Sequence, residues 1–101
     1  MVKHIILWKL REELSAEEKE TVKAGIKAGL EGLQGVVPGL QSVHVQTDGV
    51  LPSSTADVML DCTLESPEAL QRYAKHPAHQ EVANTKVRPY TAVRTCLDFE
   101  I

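Results

Sequence analysis

Aromatic residues are scarce in this chain of 101 residues: Trp8, Tyr73, Tyr90 and Phe99 are the only four. So few rings exclude a stacking platform for bases or a large aromatic box within one chain. Positive charge is also in short supply, with 11 Lys and Arg against 14 Asp and Glu and a formal net charge of −3. Without a cationic surplus to displace counterions from phosphates, an electrostatic nucleic-acid partner is excluded. Long hydrophobic runs are missing. The apolar stretch Ile5 to Trp8 falls far short of a signal-peptide core or the ~20 residues of a membrane span, so a cytoplasmic protein with no membrane partner is expected. Cysteine is limited to Cys62 and Cys96, spaced for neither a zinc site nor a redox CxxC pair, and both are expected to be buried thiols. Repeats and low-complexity tracts are absent.

What remains is a mixture of 43% hydrophobic and 25% charged residues, the composition of one globular domain spanning residues 1–101. A chain of this size buries roughly 65% of the surface its unfolded form exposes. A ligand pocket of ~300 to 1,000 Å³ would compete with that core for the same apolar residues, so a sizeable pocket is expected to need a second subunit.

Val2 to Leu10 alternates, with Val2, His4, Ile6, Trp8 and Leu10 on one face and Lys3, Ile5, Leu7 and Lys9 on the other. This is a strand, and its doubly apolar middle predicts a central one. Ser15-Ala-Glu-Glu18 is a capping box that opens a helix. Val22, Ile26, Leu30 and Leu33 form its apolar stripe, bordered by Gly25 and Gly29, which suit close approach to a sheet. The lysines at 19, 23 and 27 form a solvated flank. Val37-Pro38-Gly39 is a turn. Leu40 to Thr47 reads as a polar edge strand carrying His44, with Val43 and Val45 on one face and Leu40 on the other. Ala56 to Leu64 is a third strand, with Val58, Leu60, Cys62 and Leu64 on one face. Ser66-Pro67-Glu68 caps a second helix that runs to about Lys75. Pro77 disfavours helical geometry at His76, so the chain should bend there and restart over about Ala78 to Thr85. Thr91 to Glu100 is the last strand, with Val93, Leu97 and Phe99 opposite Arg94, Cys96 and Asp98.

The order β-α-β-β-α-β predicts an α+β, ferredoxin-like fold: a four-stranded antiparallel sheet in the order 4-1-3-2, with both helices on one face. Cys62 and Cys96 then flank the first strand, too far apart for a disulfide. Strands 1 and 3 carry Ile6, Trp8, Leu10, Val58 and Leu60 on one side and apolar residues on the other. A bare face holding that set would be an apolar patch of a size monomers rarely expose, so a twofold homodimer is expected to close it, sheet against sheet.

The opening Met1-Val2-Lys3-His4-Ile5-Ile6, the Val37-Pro38-Gly39 turn, the segment Leu70-x-x-Tyr73-x-x-His76-Pro77-x-His79 and the terminal Leu97-Asp98-Phe99 resemble, in order, the stress-responsive dimeric A/B barrel family. The resemblance spans essentially the whole chain, and its most specific piece is the His-Pro-x-His segment after a tyrosine. It implies a homodimeric α+β barrel. Most members of that family have no determined function, and one is a plant polyketide cyclase that works without a cofactor, so the resemblance offers a cyclase-like enzyme as one expectation. By that likeness His79 is a general base, Tyr73 positions it or the substrate, and His4 lines the pocket. A neutral imidazole can take a proton from carbon flanked by carbonyls, and a phenol can hold the oxyanion. Ile6, Trp8 and Leu60 would complete a binding site for a small apolar or aromatic ligand between the sheets. The first helix differs from the cyclase, with Thr21, Val22, Gly25 and Ile26 where the cyclase has pocket aromatics.

Structural readings stand beside these: His79 bonding a backbone carbonyl, His4 satisfied at an interface, Tyr73 in the core. His76 and His79 are three apart, yet no Cys, Asp or Glu accompanies them at ligand spacing, and no metal is expected. The alternative in function is a non-catalytic stress-response or assembly protein whose barrel is packed solid, with Trp8 deciding between pocket and plug. Haem or quinone chemistry, as in related monooxygenases, finds no motif here.

Overall fold

The computed structural model describes residues 1–101. Strand β1 (Val2–Leu10) lies in the middle of a four-stranded antiparallel sheet, between β3 (Val58–Leu64) and β4 (Thr91–Glu100), with β2 (Leu40–Gln46) at the far edge beyond β3. Ile6 sits opposite Leu60 on one side and Cys96 on the other, and His4 opposite Cys62 and Asp98. Helix α1 (Ala16–Glu31) begins at the capping box, where Ser15 Oγ accepts from the Glu18 amide and the Glu18 carboxylate accepts from the Ser15 amide. Helix α2 (Pro67–Lys75) is capped by Ser66. The chain bends at His76 (φ −62°, ψ 134°) and continues as α3 (Pro77–Val82). That segment outruns the expected restart, passing through a π turn over Ala83–Val87 and a 3₁₀ turn over Arg88–Tyr90. The π turn buries Ala83 and Val87 together. No helix is long and apolar enough to cross a membrane.

The core lies between the helices and one face of the sheet, and it joins Val22, Ile26 and Leu30 of α1 and Tyr73 of α2 to Ile6, Trp8, Leu60 and Cys62. This corrects the expected assignment of faces. Ile6, Trp8, Leu10, Val58 and Leu60 are all buried under the helices and do not form the bare side. Alternation separates two faces but does not say which one the helices take. The charges that alternate with the other set, Lys3 and Asp61 in an ion pair of 2.9 Å, mark it as the outward one. That outward face is still apolar. Ile5 and Leu7 of β1 lie in register with Leu97 and Thr95 of β4, and Lys3 with Phe99. Leu7, Val93, Leu97 and Phe99 are 39%, 53%, 61% and 43% exposed.

Three local expectations are also corrected. Leu40 is buried on the helix side with Val45, because a register shift between Leu40 and Ser42 turns it over. Strand β3 begins at Val58 and not at Ala56, since the Asp57 carboxylate takes the Leu10 amide at 2.8 Å and so replaces a ladder bond. Gly29 faces α3 and not the sheet: a Cβ there would stand 2.8 Å from Cγ1 of Val82. In the Val37-Pro38-Gly39 turn, Gly39 adopts φ +84°, and a Cβ would meet that of Ala69 at 2.8 Å.

Candidate functional site

All six residues expected at a site line one cavity. It has a volume of about 320 Å³, with Ile6, Trp8 and Leu60 on the sheet side, Tyr73 and His79 on the helix side, and His4 between them. Leu30, Ala83 and Val87 extend the apolar lining, and Arg88, Thr91 and Arg94 bring polar groups to it. The cavity lies between the sheet and the helices of a single chain. The expected location between two sheets, and the expected need for a second subunit to form a pocket, are both corrected. Space is available because the helices cover β1, β3 and β2 but leave edge strand β4 bare, its residues being exposed along nearly the whole strand. Trp8 is buried and forms part of the wall without filling the space. A larger hollow of about 410 Å³ lies beside the first half of α1. It is more open, and Glu18 in its lining is already held by the capping box.

Pro77 places His79. The break at His76 turns α3 so that the His79 ring packs on Tyr73, with centroids 4.4 Å apart. Its Nδ1–H donates to the Ala74 carbonyl at 3.2 Å, which Gln80 Nε2 also bonds at 2.6 Å. A carbonyl can only accept, so this bond fixes the tautomer and leaves Nε2 with its lone pair. Burial pushes the His79 pKa below its ordinary value, against the carbonyl bond, with further lowering from the charges of His4, Arg88 and Arg94. His76 takes no part in the cavity, since its Nδ1 accepts from the Ala78 amide at 3.1 Å and caps α3.

His4 is oriented from across the strand pair, where its Nδ1–H donates to the Asp98 carboxylate. No buried side-chain nitrogen or oxygen lacks a partner. The Nε2 atoms of His4 and His79 make no hydrogen bond within the protein, and both rings line the cavity. Tyr73 is 1% exposed, and its hydroxyl accepts from the Cys62 thiol at 4.0 Å. Burial raises the Tyr73 phenol and pushes the Cys62 thiol up to about 12, so both stay neutral at physiological pH. The Tyr73 ring lies 6.0 Å from that of His4, which makes it a spacer between the two imidazoles.

Asp98, Arg88 and Arg94 escaped the sequence reading. Asp98 and Cys96 share a face of β4, and the strand order sets that face beside His4, a signal available once the topology was drawn. His4 Nδ1, Cys96 Sγ and Asp98 Oδ1 lie within 4.8 Å of one another, donor types suited to a divalent transition metal. Cys96 is exposed and not buried as expected, because no helix lies over β4. Cys62 is buried, and both thiols are free. His44 is exposed on edge strand β2, bonded to Gln46 at 2.9 Å.

Residues 2–101 match the Stress responsive A/B Barrel Domain family. The chain belongs to that family. Among solved structures, a dimeric protein of unknown function with a ferredoxin-like fold from Bacteroides fragilis is 28% identical, with a TM-score of 0.92 over 99% of this chain and 95% of its own. A ferredoxin-like A/B barrel protein from Mesorhizobium loti is 15% identical, with a TM-score of 0.74 over 99% and 95%. The hydroxynitrile lyase of Passiflora edulis is 18% identical, with a TM-score of 0.73 over 99% and 92%. At these last two identities the likeness is one of fold. No curated protein matches this A/B barrel chain.

Proposed function

We propose that this A/B barrel protein is a cofactor-independent enzyme of the polyketide-cyclase kind, working as a homodimer on a small, largely apolar carbonyl compound held between sheet and helices. The observation that carries the reading is the state of His79: its Nδ1–H is committed to the Ala74 carbonyl, its Nε2 makes no bond within the protein, and its ring lines a largely apolar cavity. A neutral imidazole with an unprotonated nitrogen is what abstraction of a proton from carbon between two carbonyls requires, and the lowered pKa of His79 keeps the ring in that form. The proton passes to Nε2 and the electron pair moves into an enolate. The enolate carbon attacks a second carbonyl of the same substrate, and the imidazolium returns its proton to the alkoxide so formed. Tyr73 is a positioning residue that fixes the His79 ring. His4, held by Asp98, presents a second nitrogen to the substrate.

The dimer follows from Leu7, Val93, Leu97 and Phe99 on the outward sheet face, which a second copy would cover. A fold neighbour is a hydroxynitrile lyase, so the scaffold supports an enzyme. The alternative, a stress-response or assembly protein with a solid interior, is disfavoured by the 320 Å³ cavity.

The test is solvent-deuterium exchange at the activated carbon of a set of linear 1,3-diketones and triketones, with wild type and His79→Gln. Wild type should accelerate exchange or cyclisation. His79→Gln should lose about 10²-fold or more, the ordinary contribution of a positioned base. Equal rates for the two proteins would overturn the reading.

A further inference from the structure

We infer that the cavity is built for an anion, and specifically for a small carboxylic acid whose apolar body lies against Ile6, Trp8 and Leu60 while its carboxylate is held by Arg88 and Arg94. The inference rests on the reading that this cavity is the site and adds the class of its ligand.

The charge balance of the lining carries it. The chain as a whole has an acidic surplus of three, yet no Asp or Glu lines the cavity, while two arginines do. Neither arginine is in an ion pair. The cations of the protein's ion pairs are Lys3, His4, Arg11, Lys23, Lys27 and His44. Arg88 has one side-chain partner, the neutral Asn84 four residues earlier. Asp98, a carboxylate close to the cavity, is occupied by His4. Arg94 and Arg88 also come from independent elements. Arg94 pairs with Trp8 across β1 and β4, so both side chains lie on the helix side of the sheet, and Arg88 follows the π turn. Both contribute to the lowering of the His79 pKa, so both fields reach the ring.

Guanidinium forks match planar carboxylates in pairs of parallel hydrogen bonds. Thr91 adds a hydroxyl to the lining. At ~30 Å³ per water, a cavity of about 320 Å³ holds the equivalent of about ten waters, which admits a short aliphatic or one-ring acid and excludes a nucleotide-linked thioester as a fully enclosed ligand.

Trp8 is the only tryptophan, and it lines the cavity, so its fluorescence reports occupancy directly. Hexanoate, octanoate and 3-phenylpropanoate, each with its primary amide, would be titrated into the full-length protein and the affinities checked by calorimetry. Each acid that binds should do so at least about tenfold more tightly than its amide, the usual loss when a charged hydrogen-bond partner is removed. Arg88→Gln and Arg94→Gln should each abolish most of that preference by weakening the acid far more than its amide, and Arg94→Lys should restore part of it. Both residues are exposed, so the variants should keep their fold, with circular dichroism as the check. Equal affinity for acids and amides, unchanged preference in both arginine variants, or no binding by any acid up to about 10 mM would each overturn the inference. The two claims separate in His79→Gln. Acid binding retained with proton exchange still at the wild-type rate sinks the base and leaves the anion site. Exchange lost in His79→Gln, with amides bound as well as acids by wild type, does the reverse.

Discussion

Replacing Gly29 by alanine tests how closely α1 approaches the segment that carries His79. A Cβ at position 29 would lie 2.8 Å from Cγ1 and 3.5 Å from Cγ2 of Val82. Val82 is β-branched and stiff at χ1, so the collision must be relieved by moving α3 away from α1. Forcing an extra carbon into packed structure costs about 1–3 kcal/mol, against which alanine in a helix interior gains about 1 kcal/mol over glycine. Gly25 is the control on the same helix, since its added Cβ would meet only Cδ of Lys86 at an ordinary 3.7 Å. The helix-propensity gain is common to both variants, so the difference between them isolates the collision. Gly25→Ala should be stabilised by about 1 kcal/mol, and Gly29→Ala should lie about 2 kcal/mol below it. At about 4–8 °C per kcal/mol for a domain of this length, the two melting temperatures should differ by roughly 10 °C at equal protein concentration. Gly29→Ala should also weaken ligand-induced change in Trp8 fluorescence, because α3 carries His79 as well as Val82. Equal Tm values for the two variants would refute the close approach and, with it, the account of what positions α3.

The other predictions concern the dimer, the thiols and pH. Leu97 is 61% exposed on the outward sheet face, so Leu97→Glu should halve the mass seen by light scattering; a wild type of single-chain mass would remove the dimer altogether. Cys62, buried and pushed up to about 12, should resist iodoacetamide at pH 8 in the native protein and react once denaturant is added. His79 has a native pKa below its unfolded value, so below about pH 6.5 the unfolded chain binds a proton that the native state resists. Its contribution to stability is therefore fully present above about pH 6.5 and is lost as pH falls through the native pKa. The drop in Tm between pH 7.5 and pH 5 should be smaller in His79→Gln than in wild type, and an identical drop would contradict the burial of the ring.

Strand order, the capping box and the break at Pro77 were legible because each rests on local chemistry: period-two alternation, a Ser-x-x-Glu spacing, and a proline that bars helical geometry before it. The likeness of the Tyr73–His79 segment to the family pointed to residues that do share a cavity. The sheet faces were not legible, because β1 is apolar on both sides and alternation does not say which side the helices take; the Lys3–Asp61 ion pair marks the outward face only once β1 is paired with β3. Misplacing the faces also misplaced the pocket, between copies and not beneath the helices. Arg88 and Arg94 are unremarkable in sequence. Their meaning depends on a bare edge strand and a π turn, and nothing in the spacing of Ala83 to Val87 announces the latter. The partnership of His4 with Asp98 joins residues 94 positions apart and becomes visible only when β1 and β4 are set side by side.

The central claim is that His79 offers a bare Nε2 to the cavity, and long-range proton–nitrogen NMR of the imidazoles measures it directly. At pH 7 the ring should be neutral with its proton on Nδ1, Nε2 should show the shift of an unprotonated nitrogen, and that shift should move when a carboxylic acid ligand fills the cavity. A ring that is charged at pH 7, or one with its proton on Nε2, would contradict the account.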